Sequence, residues 1–250
     1  MPGIYVMAGL TIVATGLLGI TALRSWMQSG HRSLWLILAG LPLSFIVNRF
    51  IKIPALESVA AWTGVPLQLH PDTPLWFIGL IWLNAPIFEE AIKILPAILF
   101  MRRRLLGEAS QALSSGLALG IGFGLGEAAY LAHGIAQSSA YNQLPWYMFT
   151  GFASERLIVT FAHGLMTSLA VLGLHYGKGN ALLGYMTAIG LHAMINLGPI
   201  LLALKLVPST IASIESYLAI LVAFIVFQNV RRRIATISGV VPQEVVYFER

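Results

Sequence analysis

Asn84-Ala-Pro-Ile-Phe-Glu-Glu-Ala-Ile-Lys93 decides how this chain is read. The adjacent carboxylates Glu89 and Glu90, with Lys93 one turn further on, stand inside a long apolar run. A charge at the centre of a membrane helix costs from about 2.5 to well over 10 kcal/mol. A chain that keeps two acids in such a place has a chemical use for them. The question becomes which other residues meet them there.

Composition puts the run in a membrane. Of 250 residues, 57% are hydrophobic and 10% charged, against about 25% charged in average soluble domains. Mean hydropathy is +0.79. The expectation is an all-α fold: a polytopic transmembrane bundle of about seven helices, forming one integral membrane domain over residues 1–250 with no separate soluble domain. In a soluble protein the net charge of +5 would point to nucleic acid. Here the basic residues sit in short loops, so the lipid bilayer is the expected surrounding and no nucleic-acid partner is expected. The absence of cysteine excludes disulfides and thiolate metal ligands. The first apolar run has no basic segment before it and no clear small-residue cleavage site after it, so it reads as a retained helix.

Segments 4–23, 34–51, 75–100, 111–133, 152–174, 181–204 and 211–230 are long and apolar enough to span. The stretch 52–74, with Pro54, Pro66, Pro71 and Pro74, reads as a loop or interfacial segment. Arg24, Arg32, Arg102, Arg103, Arg104, Lys178, Arg231, Arg232, Arg233 and Arg250 fall on one side, and Arg49, Lys52 and Lys205 on the other. Ten against three predicts the first set inside, hence the N-terminus outside and the C-terminus cytoplasmic, in what reads as a bacterial cell membrane. In the third span, Asn84 suits a cap and Pro86 a first helical turn, so the helix either restarts or kinks just before Glu89. In the fourth, the pairs Gly116/Gly120, Gly120/Gly124 and Gly122/Gly126 allow close helix approach.

Few strongly polar residues remain inside the spans. Glu89, Glu90 and Lys93 are in the third, Glu127 in the fourth, Glu155, Arg156 and His163 in the fifth, and His192 and Asn196 in the sixth. The first, second and seventh have essentially none in their middles. Measured from the shared membrane face at 1.5 Å per residue, Glu127 lies about 9 Å deep, Asn196 about 12 Å, His163 about 16 Å, His192 about 18 Å and Glu89 about 21 Å. One site in the third to sixth helices is therefore expected. Spacing sorts the faces. Glu89 and Lys93 are i,i+4, so that acid can be neutralised along its own helix, while Glu90 points about 100° away. Arg156, Thr160, His163 and Thr167 form a polar stripe, Phe123 shares a face with Glu127, and His192 shares one with Asn196.

A carboxylate in a dry bundle can act as general acid or base near neutral pH once desolvation has shifted its proton affinity. Imidazoles and carboxylates together can hold a divalent metal, zinc first among them, with a position open for water. An amide such as Asn196 or a cation such as Arg156 can stabilise an oxyanion. These are the parts of a water-activating hydrolase. Neither Gly-Xaa-Ser-Xaa-Gly nor His-Glu-Xaa-Xaa-His occurs to compete with it.

The motifs Glu89-Glu90-Ala-Ile-Lys93, Phe123-Gly-Leu-Gly-Glu127 and His192-Ala-Met-Ile-Asn196, with Glu155-Arg156 and His163, resemble a superfamily of membrane proteases. It contains the CAAX prenyl proteases, the bacterial immunity and bacteriocin-processing relatives, the PrsW-type proteases and the YhfC-type proteins. The resemblance covers residues 84–200. Glu127 stands where CAAX prenyl proteases carry His, so the chain looks closer to the PrsW-type and YhfC-type branch. The resemblance implies intramembrane hydrolysis of a peptide bond in a membrane-embedded or membrane-proximal substrate. By it, Glu89 or Glu90 activates water. Glu127, His163 and His192 bind a metal or orient the water, Asn196 stabilises the oxyanion, and Lys93, Arg156 and Phe123 support them. The gamma-secretase scaffold subunit, in the same superfamily, makes a non-catalytic scaffold the alternative. An ion or proton transporter is a third.

Overall fold

The computed structural model describes residues 1–25, 31–100 and 107–237, all helix and connecting loop with no strand among them. Arg102, Arg103, Arg104 and Arg250 of the topology count lie outside the described residues. The helices are α1 (Gly3–Ser25), α2 (His31–Val47), α3 (Ile53–Thr63), α4 (Leu75–Phe100), α5 (Ala109–Gln137), α6 (Thr150–His175), α7 (Lys178–Ala203) and α8 (Ser209–Ile237). A π-helical turn, Asn48–Lys52, joins α2 to α3 without a break, so α2 and α3 form one candidate span, Leu34–Thr63. The described residues thus contain 7 candidate spans, as the hydropathy pattern predicts.

The expected loop over 52–74 is corrected to helix as far as Thr63. Pro54 follows directly on the π-turn, and the chain stays helical through it as far as Thr63. The stop comes at Gly64, whose left-handed backbone (φ 72°) closes the helix through a bond to the Ala60 carbonyl. A restart at Asn84 is corrected likewise. α4 runs unbroken through Pro86, and Asn84 is a buried mid-helix residue rather than a cap.

α5 and α6 form the centre, with 83% and 72% of their span windows buried, and α1, α2, α4, α7 and α8 surround them. The α5 glycines make this possible on two faces. A Cβ on Gly120 would run into the His163 carbonyl and Gly164 of α6, and one on Gly122 would run into the Ile37 carbonyl of α2. The buried stripe Arg156, Thr160, His163 and Thr167 on α6 is thereby held against α5 at backbone distance. Gly120→Ala is expected to lower stability by about 1–3 kcal/mol through overpacking, read as a drop in the thermal midpoint in detergent. Gly134→Ala, where an added Cβ meets nothing within 4 Å, is expected to leave it unchanged.

Candidate active site

α4 brings Glu89, Glu90 and Lys93 to the middle of the bundle, each at most 1% exposed. Trp82 Nε1, donating to the Ala193 carbonyl at 2.7 Å, and Tyr185 OH, donating to the Ile87 carbonyl at 2.8 Å, fix α4 against α7. The Lys93 ammonium donates to Glu90 Oε1 and to His163 Nδ1, both at 2.7 Å, and lies 4.3 Å from the Phe123 ring centre. The expectation that Lys93 neutralises Glu89 is therefore corrected. Positions i+3 and i+4 are equally within reach on a helix, and His163 and Phe123 draw the ammonium to the Glu90 side. Glu89 Oε1 is held instead by Lys52 Nζ at 2.5 Å, from the last residue of the π-turn.

Ammonium groups only donate and ionised carboxylates only accept, and this sets the proton positions on the two imidazoles in their neutral form. His163 must accept at Nδ1, so its Nε2 carries the proton and donates to Glu127 Oε2 at 3.0 Å. His192 Nδ1 donates to Glu90 Oε1 at 2.7 Å, which leaves a lone pair on Nε2. That nitrogen lies 3.8 Å from Glu89 Oε2, a buried oxygen with no hydrogen-bond partner. A carboxylate behind a histidine that aims its other nitrogen at an open position is the arrangement seen around metal-bound histidines. The imidazoles of His163 and His192 stand edge to face, with centres 5.3 Å apart.

Glu127 Oε2 also accepts from Arg156 at 2.8 Å, and Arg156 reaches on to Glu155 at 2.6 Å. Glu155 is half-exposed while Arg156 is buried, so the pair belongs to the site as well as to the membrane edge. A cavity of about 350 Å³ is lined by Lys52, Glu89, Glu127, Arg156, His163 and His192 on its polar side. Asn196 also lines it, as do apolar residues of α6, α7 and α8. Glu90 and Lys93 stand outside this lining. Every sequence-expected site residue therefore falls at the cavity or directly behind it. Donor atoms of Glu89, His163 and His192 lie within 4.8 Å of one another. Tetrahedral zinc with bonds of 2.0–2.1 Å keeps neighbouring ligand atoms about 3.4 Å apart. The orphaned Glu89 oxygen, the free His192 lone pair and their spacing fit a metal, and His163 fits once its Nε2 proton leaves.

Two contributors escaped the sequence reading. Lys52, which reads in the sequence as a loop charge on the outer face, lies in the cavity wall. Its signal was the i,i+4 line Ser44, Asn48, Lys52, whose first two members are buried in the second span. The seventh span is likewise not free of polar residues. Glu215 Oε2 accepts the Gly198 N–H at 2.7 Å, and Ser216 Oγ donates to the Ile195 carbonyl at 3.0 Å. Pro199 leaves that carbonyl without its helical donor, so the proline was the signal. These contacts fasten α8 to the turn of α7 that carries Asn196.

Glu90→Gln and Lys93→Met are each expected to cost about 3–5 kcal/mol, because each leaves a buried charge unpaired. The double variant is expected to recover a large part of the sum in a double-mutant cycle of unfolding in detergent.

Residues 32–228, more than three quarters of the chain, match the family described as PrsW family intramembrane metalloprotease. No curated protein and no solved structure matches the chain. The match and the buried Glu/His group favour neither the scaffold nor the transporter alternative. Among the described residues, seven apolar helices long enough to cross a membrane surround a buried Glu/His group that could hold a metal, and the family match makes the chain a membrane protease with a peptide substrate. By that match and that site, the chain belongs to the PrsW family of intramembrane metalloproteases.

Proposed function

We propose that the metal is zinc, held by Glu89, His163 and His192, and that Glu127 is the general base for the attacking water. The observation that carries this is the partnerless Glu89 Oε2 lying 3.8 Å from the free His192 Nε2. Glu90 fixes the His192 tautomer. A metal ligand at His163 needs a lone pair at Nε2. The chain of bonds Lys93–His163–Glu127 can supply it: a Lys93 proton passes to Nδ1 while the Nε2 proton leaves through Glu127 Oε2 to solvent as the metal binds, so that Glu127 is again a carboxylate. Bound there, zinc would polarise the scissile carbonyl and lower the pKa of a water ligand. Glu127 Oε2 then takes the water proton and delivers it to the leaving amine. Asn196 donates to the developing oxyanion from the cavity wall, and Arg156 keeps Glu127 oriented.

A second reading exchanges the two acids. Glu127 becomes a ligand with both histidines, and Glu89 or Glu90 becomes the base. The 3.0 Å contact between Glu127 Oε2 and His163 Nε2 favours it.

The cavity residues Glu155, Leu202 and Ser213 lie near the helix ends that face away from the basic loops. Arg49 and Lys52 both fall inside the candidate span Leu34–Thr63, which leaves Lys205 opposing the basic set and supports the expected orientation. We infer a single membrane domain in a bacterial cell membrane, with the N-terminus outside and the C-terminus cytoplasmic. Its substrate is a membrane-embedded or membrane-proximal protein cut near the outer face. The wider kinship with the CAAX prenyl proteases and the YhfC-type proteins is part of the same proposal.

Glu127→Gln and Glu89→Gln are each expected to slow cleavage by at least about 10²-fold. Glu127→Gln should retain metal in a chelator competition, and Glu89→Gln should lose it. The reverse pattern of metal loss would establish the second reading. Normal cleavage by both variants would remove the hydrolytic site from this cavity.

A further inference from the structure

We propose that Lys52 is a positioning residue of the hydrolytic site: its ammonium grips Glu89 through one oxygen and thereby presents the other to His192 and the cavity. The inference deepens the reading above and rests on Glu89 working at the site.

The placement of Lys52 is built rather than incidental. It ends the π-helical turn Asn48–Lys52, closed by the Ile53 N–H on the Asn48 carbonyl. Such turns insert a residue into a helix, re-aim the side chains that follow, and recur at functional sites. The inward line leading to it is polar: Ser44 and Asn48 are buried, and Asn48 Nδ2 donates to the Ser44 carbonyl at 2.8 Å. A lysine that only anchored a helix end would carry its ammonium to the headgroup region. The Lys52 side chain is instead 17% exposed and lies in the cavity wall.

Among the described residues no other Lys or Arg pairs with Glu89. Lys93 is engaged with Glu90 and His163, and Arg156 with Glu127 and Glu155. The terminal torsion of a glutamate is broad and roughly two-fold, so an ungripped carboxylate would sample several planes. The 2.5 Å contact to Oε1 selects one of them. In that plane Oε2 accepts no hydrogen bond and faces His192 Nε2. The same grip serves either assignment of Glu89. As ligand, it is held to binding through one oxygen; as base, one oxygen is kept clear to take the proton.

The chain contains no cysteine, which permits a direct test of the ammonium itself. In K52C the thiol can be aminoethylated selectively, which restores an ammonium on a chain of nearly the same length. Folded K52C is expected to lose about 10–100-fold in kcat with KM little changed, and a similar factor in zinc affinity by chelator competition. K52R should stay within a few-fold of wild type. Aminoethylation of K52C should recover most of both losses, a recovery that a packing role would not produce. K52C that cleaves and holds zinc like wild type would overturn the proposal, as would quantitative aminoethylation that restores neither. If K52C does not purify folded, K52Q takes its place: folded and slow beside an active K52R supports the proposal, and equal rates overturn it. Wild-type protein that cleaves but holds no zinc would end the metal reading alone, because the cleavage comparison still decides the role of Lys52.

Discussion

The structure depends on keeping buried carboxylates paired in a medium that offers no water. Glu89, Glu90 and Glu127 sit among apolar helices, and each has a cation within 2.8 Å: Lys52, Lys93 and Arg156 respectively. Breaking such a pair leaves a charge with no compensation, which is far costlier than never burying the pair. Lys52 comes from the π-turn between α2 and α3 to an acid on α4, and Arg156 from α6 to an acid on α5. Satisfying the charges therefore forces these helices together and sets their depth. The glycine faces of α5 let that happen at backbone distance.

The pairing is also what leaves the site reactive. Each cation takes some of the acceptors, and of the carboxylate oxygens left without a partner the one on Glu89 belongs to a residue that lines the cavity. Glu90 spends Oε1 on Lys93 and His192, and so sets the His192 tautomer. Glu89 gives Oε1 to Lys52 and keeps Oε2 without a partner. Glu127 carries two donors on one oxygen at the edge of the cavity. A fully satisfied network would be rigid and inert. In this one, the orphaned oxygen and the free imidazole nitrogen converge on the same space.

Much of this was legible in the sequence, because the cost of polar groups in a membrane is so high. Seven apolar runs implied seven spans. The rarity of Glu, His and Asn within them marked a site, and depths of about 9–21 Å grouped Glu127, Asn196, His163, His192 and Glu89 in the middle portion of the membrane. What could not be read was who pairs with whom. Helical spacing allows Glu89–Lys93 and Glu90–Lys93 alike, and the choice fell to His163 and Phe123, which approach from other helices. Lys52 reads as a loop charge because it opens a stretch with four prolines, yet the helix runs on through Pro54 and stops only at Gly64. Glu215 and Ser216 stand near a helix start, and the sequence signal is for Ser216 alone: Pro199 on the preceding helix leaves the Ile195 carbonyl in need of a donor.

The central claim is that the buried Glu/His set holds a metal. The most direct measurement is the metal content, by elemental mass spectrometry, of protein purified in detergent without chelators, wild type beside the His163→Ala/His192→Ala double variant. The account predicts close to one zinc per wild-type chain and none in the folded double variant. No metal in either protein, or equal metal in both, would contradict it.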